Sequence, residues 1–130
     1  MKEKSYLLDS NIIIYHLNND TTVTEFLFEN IEYCHISVVT YIEVLSFNFP
    51  STYSENIAQE LLNSFKVIDT NKNIASQSIK NRKTKKIKLP DNLIASTAQV
   101  FSMTLVTRNE KDFKSLNIDI FNPFGSVNDQ

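Results

Sequence analysis

Glycine is almost missing from this chain of 130 residues, Gly125 being the sole one. A Walker phosphate loop and a Gly-x-Gly dinucleotide turn are therefore excluded, because both need several glycines to bring backbone N–H groups against phosphates. Cysteine also occurs once, at Cys34. That excludes an intramolecular disulfide and a zinc site built on several cysteines of one chain, and it fits a reducing cytoplasm. Tryptophan is absent, so Ile, Leu, Val and Phe must supply the bulk of a core. Long hydrophobic runs are missing too. The start, Met1 to Ser5, is polar, and the apolar run after it ends at Asp9. This is too short for a signal peptide or a membrane span, and the expectation is a cytoplasmic protein without membrane attachment.

What is present suits one domain spanning 1–130: 42% hydrophobic residues, enough for an ordinary core, and 22% charged. The net charge of −2 hides an asymmetry. Residues 1–65 hold 2 basic and 9 acidic groups, whereas residues 66–130 hold 11 basic and 6 acidic ones. Lys80, Arg82, Lys83, Lys85, Lys86 and Lys88 form a run that no acid interrupts. Such a stripe attracts phosphate backbones, or is a solvated helix face.

Short apolar runs alternate with helical patterns. Strands are expected at Tyr6–Leu8, Cys34–Ser37, Lys66–Ile68, Thr104–Thr107 and Ile118–Ile120. Helices are expected over Asn11–Leu17, Thr21–Asn30, Val38–Phe47, Ser54–Phe65, Asn71–Lys83 and Leu89–Phe101, with one helical turn over Lys111–Lys114. The apolar stripes expected to face inward are Val23, Phe26, Leu27 and Ile31; Val38, Tyr41, Ile42, Leu45 and Phe49; Ile57, Ala58, Leu61 and Leu62; and Ile74, Ala75, Ser78 and Ile79. Pro90 suits the first turn of its helix, where a missing N–H costs nothing. Strands separated by helices imply an α/β fold with a mostly parallel sheet covered on both faces.

In such a sheet, ligands bind beyond the carboxyl ends of the strands. Asp9 follows the first strand, Asn109 and Asp112 follow the fourth, and Asp91 sits in a first helical turn. Glu43 lies in the apolar stretch Val39–Leu45 and, if buried, needs a partner or a cation. Each acid also has a plain structural duty open to it: a helix cap for Asp9, a helix-dipole partner for Asp91, a surface acid for Asp112. Together, carboxylates without Cys or His ligands suit a hard cation such as Mg²⁺ or Mn²⁺, which orients water and holds a phosphodiester. Ser/His/Asp catalysis lacks a nucleophile elbow. The neighbours Cys34 and His35 point to opposite faces of a strand.

Asp9-Ser10-Asn11 after a strand, Glu43 in its helix, Leu89-Pro90-Asp91-Asn92-Leu93-Ile94-Ala95-Ser96-Thr97-Ala98, and Leu105-Val106-Thr107-Arg108-Asn109-Glu110-Lys111-Asp112-Phe113 resemble PIN-domain ribonucleases. More narrowly, they resemble the VapC-type toxins of bacterial toxin–antitoxin pairs. The likeness runs from about Tyr6 to Phe124, and its Asp-x-Leu-Ile-Ala-x-x-Ala and Thr-Arg-Asn-x-x-Asp-Phe patterns are specific. The resemblance implies a PIN-like three-layer fold and a divalent-metal-dependent endoribonuclease. Asp9, Glu43 and Asp91 match its acidic metal positions, and Asn109 or Asp112 fills the fourth polar position. Ser10 and Thr107 match its small hydroxyl positions. Asn11, Arg108, Lys85, Lys86 and Lys88 are candidate RNA contacts. A homodimer and a small VapB-like antitoxin are the implied partners, with the helices Thr21–Ile31 and Ser54–Phe65 as candidate contact faces.

Other classes fit less well. A haloacid-dehalogenase-like phosphatase needs a second Asp where this chain has Asn11. A response-regulator receiver needs an acidic pair after its first strand and a phosphorylatable Asp after a middle strand, and residues 66–70 give only Asp69-Thr70 with no preceding acidic pair. The non-enzyme alternative is a catalytically weak PIN module that binds RNA or a protein without cutting.

Overall fold

The computed structural model describes residues 3–125. Met1 and Lys2, part of the polar start, and residues 126–130 lie outside the described residues. Five strands form one parallel sheet: β1 (Tyr6–Leu8), β2 (Cys34–Ser37), β3 (Lys66–Ile68), β4 (Thr104–Val106) and β5 (Ile120–Phe121), in spatial order β3-β2-β1-β4-β5. Seven helices join them: α1 (Ser10–Leu17), α2 (Thr21–Asn30), α3 (Val38–Leu45), α4 (Thr52–Asn63), α5 (Lys72–Thr84), α6 (Leu89–Val100) and α7 (Glu110–Phe113). A 3-10 turn over Ile31–Tyr33 precedes β2.

Side chains alternate across a strand, and two cores follow from that alternation. Leu8 and Val106 point to one face, where Ile12 and Ile13 of α1, Val23 and Leu27 of α2, Val44 of α3 and Leu62 of α4 cover them. Leu7 and Leu105 point to the other, against Ile94, Ala95 and Ala98 of α6 and Phe113 of α7. Ala95 and Ala98 are fully buried, so small side chains let α6 lie close on the sheet.

Helix starts follow local capping chemistry. Asp9, Asp20, Ser37, Ser51 and Asn71 each accept a backbone N–H of the first turn with their side chains. Pro90 opens α6. With glycine so scarce, the left-handed positions fall to Asn19, Ser102 and Ser115 as well as Gly125.

Several expectations need correction. Ile42 and Ile79 are 57% and 59% exposed, and Ile31, Ile57 and Ala75 are exposed too. The buried residues of α3 are Thr40 and Val44, one turn apart, so Ile42, two residues from each, falls on the opposite side. The helix α5 docks on α6 through polar groups, which leaves its Ala75–Ile79 side outside. Ser78 Oγ donates to Ser96 Oγ at 2.7 Å, Asn81 Nδ2 donates to Asn92 Oδ1 at 3.1 Å, and Asn92 Nδ2 donates to the Ser78 carbonyl at 2.9 Å. The last strand lies at Ile120–Phe121 rather than at 118–120, because its pairing is set by Leu105 and Val106 of β4.

Candidate active site

The sheet order reverses at β1, whose neighbours are β2 on one side and β4 on the other. A crevice opens beyond the strand ends at such a point. Asp9 stands directly after β1 and Thr107 directly after β4.

Asp9 is buried. Its Oδ1 accepts the Ser10 N–H at 2.8 Å, which caps α1, and its Oδ2 accepts the Thr107 hydroxyl at 2.8 Å. Asp9 therefore performs the capping duty and also presents a fixed carboxylate. Burial pushes its pKa from 3.8 up to about 6; the bonds from Thr107 and Ser10 pull the other way, and the charges of Asp91 and Glu43 raise it further.

Glu43 is half-buried on α3, and Ser10 Oγ donates to its Oε1 at 2.6 Å. The partner that a charge in an apolar helix requires is thus Ser10. Thr40, one turn before Glu43, sits 3.3 Å from Ser10 Oγ and 3.4 Å from the Leu8 carbonyl. It was missed in the sequence, although its i, i+3 spacing from Glu43 places both on one side of α3. Asp91, in the first turn of α6, has a raised pKa, caused by burial first, then by the charges of Asp112 and Glu43, with Lys88 opposing. Four acids from four segments thus act on one another at one rim. Of the two candidates for the fourth position, Asp112 is the one whose charge reaches Asp91. Asn109 donates its side-chain amide to the Asp112 carboxylate and its backbone N–H to Thr107 Oγ1 at 3.0 Å.

Asn11 Nδ2 lies 3.4 Å from Thr107 Oγ1, and its Oδ1 is buried without a hydrogen-bond partner among the described residues. Ser10, Asn11 and Glu43 line a groove of about 590 Å³ that continues along Ile14, Tyr15, Asn18 and Phe47. Arg108, exposed at its rim, donates from Nη1 to the Tyr15 hydroxyl at 3.2 Å.

The basic run divides. The helix α5 ends at Thr84, so Lys85, Lys86 and Lys88 lie beyond it and the run is not one helix face. Lys85 Nζ donates to the carbonyls of Lys111 and Lys114 at 3.0 and 2.7 Å, closing the end of α7. Arg82 donates to the Ile87 carbonyl at 3.0 Å. Lys80, Lys83, Lys86 and Lys88 are exposed.

The donors at the rim suit a hard cation. They are oxygen atoms, their negative charges oppose one another, and a buried amide oxygen beside them lacks a donor. Among the described residues, no group of three or more His, Cys, Asp or Glu side chains stands together as a ready ligand shell. Asp9 is anchored by two hydrogen bonds, whereas Glu43 and Asp91 approach from separate helices.

An all-parallel sheet between helical layers, with acids at its switch point, defines an α/β domain built to act on a ligand at the strand ends. Residues 6–118 match the PIN domain family, and the chain belongs to that family. Among solved structures, a chain of a toxin–antitoxin complex from Klebsiella pneumoniae is 30% identical, with a TM-score of 0.79 and coverage of 94% of this chain and 100% of that one. A chain of FitAcB from Neisseria gonorrhoeae is 24% identical, with a TM-score of 0.81 and coverage of 93% and 99%. A chain of DNA-bound VapBC from Salmonella typhimurium is 21% identical, with a TM-score of 0.82 and the same coverage. The latter two show the shared fold. Curated protein sequences contain no match. Among the described residues, no helix is long and apolar enough to cross a membrane.

Proposed function

We propose that the protein is a divalent-metal-dependent endoribonuclease that hydrolyses RNA phosphodiester bonds in the cytoplasm, and that it is the toxin of a toxin–antitoxin pair. The observation that carries the chemistry is the hydrogen-bonded set at the strand ends, in which Ser10 and Thr107 hold the Asp9 carboxylate and Ser10 also holds Glu43, with the charge of Asp91 acting on both. Asp9 and Asp91, with Glu43, would hold Mg²⁺ or Mn²⁺, and such an ion lowers the pKa of water and offsets charge on a phosphodiester. The chain's own residues do the rest. Thr107 and Ser10 N–H fix the Asp9 carboxylate, Ser10 Oγ fixes Glu43, and the helix α6 presents Asp91 at its positive end. Asn11 and the exposed lysines Lys86 and Lys88 face RNA.

The toxin role is supported by the 30% identity, over nearly the whole chain, to a chain of the Klebsiella complex. A small antitoxin and a second copy of the chain are the proposed partners. The helices α2 and α4 offer apolar contact surface in Phe28 and Tyr53, 83% and 76% exposed.

Purified protein should cleave single-stranded RNA with Mg²⁺ or Mn²⁺ and stop in EDTA. Asp91→Asn should stay folded and lose activity about a hundredfold or more. Full cleavage in EDTA refutes the metal mechanism, and binding without cleavage at any metal concentration assigns the chain to the non-cutting PIN modules.

A further inference from the structure

Arg108 is held more tightly than an exposed cation ordinarily is. Its guanidinium carbon lies 5.2 Å from the Tyr15 ring centroid and 4.2 Å from that of Phe124. The two rings meet edge to face with centroids 5.1 Å apart, and Nη1 is bonded to the Tyr15 hydroxyl. Contact with two rings set at 61° to each other, together with the bond to the Tyr15 hydroxyl, restricts how the guanidinium can turn while leaving the side chain exposed.

Its place gives that order a use. Thr107, the preceding residue, is bonded to Asp9, and Tyr15 lines the groove with Ser10, Asn11 and Glu43. A polyanion entering this groove meets Glu43 on its lining, and the charges of Asp9 and Asp91 act at that same place. A fixed cation at the rim opposes that repulsion, and a planar fork of N–H groups matches two oxygens of one phosphate. Lys85, by contrast, spends two of its donors on backbone carbonyls, and Arg82 is bonded to the Ile87 carbonyl rather than held on rings beside the groove.

We infer that Arg108, held by Tyr15 and Phe124, is a preordered clamp for a phosphate of single-stranded RNA that flanks the scissile one. The inference rests on the ribonuclease reading and adds a substrate contact to it. It also makes lysine a poor replacement, since an ammonium supplies the charge without the plane or the fork.

The test is fluorescence anisotropy with a fluorescein-labelled single-stranded oligoribonucleotide in Ca²⁺, at several salt concentrations, with gels showing that the RNA stays intact. R108A should weaken binding roughly tenfold at low salt and lower the salt slope by about 0.7. R108K should restore the slope and leave affinity several-fold below wild type. F124L, which keeps Arg108 and removes one ring, should weaken binding several-fold with the slope unchanged. Wild-type affinity in R108K would show that the plane and fork contribute nothing, wild-type affinity in F124L that the ring contributes nothing, and either overturns the clamp. R108A binding like wild type overturns it while the ribonuclease reading stands. Wild-type protein that binds no RNA removes both.

Discussion

Asp9 and Thr107, 98 residues apart in the chain, are joined by a hydrogen bond of 2.8 Å from the threonine hydroxyl to Asp9 Oδ2. The bond spans the gap between β1 and β4. A hydroxyl has one proton and two lone pairs. Here the proton goes to Asp9, while the Asn109 N–H at 3.0 Å and Asn11 Nδ2 at 3.4 Å face the oxygen. Thr107 is therefore left with a single direction in which to donate, and that direction fixes the rotamer of Asp9.

Replacing Thr107 by Val should cost about 1–3 kcal/mol at pH 7, because the buried carboxylate loses a donor and the Asn109 N–H loses its acceptor. Orientation of a ligand by its neighbour is typically worth ten- to a hundredfold in metal affinity. Mn²⁺ titration calorimetry should show a loss on that order for Thr107→Val and near-normal binding for Thr107→Ser. Unchanged affinity in the Val variant would exclude the positioning role.

Asp9 also sets a pH dependence. Its folded pKa, about 6, lies above the ordinary 3.8, so between about pH 4 and 6 the folded protein holds a proton that the unfolded chain releases. Stability without a bound metal ion then falls as pH rises through that window and levels off above it. The Asp9 contribution is roughly 2–3 kcal/mol. Asp9→Asn forfeits one hydrogen bond, about 1 kcal/mol, yet removes the larger penalty. In EDTA it should match or exceed the wild type at pH 7 and show a shallower fall from pH 4 to 6. A shallower rather than flat profile is expected because the raised pKa of Asp91 acts in the same direction. Superimposable urea midpoints across this range for the two proteins would refute the account.

These two residues also mark what was legible in the sequence. Asp9 after an apolar triplet, and Thr107 after another, both announce strand ends, and strand ends at a switch point are where acids become useful. The bond between them depends on which strands are neighbours, and spacing along the chain does not encode that. The face of α5 was misread for a related reason. Ile74, Ala75, Ser78 and Ile79 make an apolar stripe, but the side that docks is chosen by Ser78 and Asn81 meeting Asn92 and Ser96. A hydrophobic count gives no weight to polar groups that satisfy one another in a buried interface. The pair Asn92 and Ser96, one turn apart in α6, was the available signal.

That interface can be broken selectively. Asn92 is buried, accepts from Asn81 and Ser96, and donates to the Ser78 carbonyl. Asn92→Leu leaves these buried partners without it, and a loss of about 2–4 kcal/mol is expected. Because Asp91 is the adjacent residue, cleavage should fall as well, while Asn92→Asp at low pH, where the acid is neutral, should keep more of the native stability. A Leu variant as stable as the wild type in chemical denaturation would show that the polar contacts contribute nothing net.

The basic run supports a last, divided expectation. Lys80, Lys83 and Lys86 are exposed, whereas Lys85 is bonded to the end of α7. If the exposed three meet RNA phosphates, they supply affinity without sequence choice. Changing all three to Gln should weaken binding similarly for different RNA sequences and flatten the salt dependence by about 0.7 per lost contact. Lys85→Gln should behave differently. It frees the Lys111 and Lys114 carbonyls, so its main effect should be a lower melting temperature and a displaced Asp112, with little change in salt slope. Anisotropy titrations at several salt concentrations beside thermal melts separate the two. A slope unaltered by the triple change would make those lysines a solvated surface, and a slope loss in Lys85→Gln as large as one exposed contact would mean that its bonds to α7 give way to RNA.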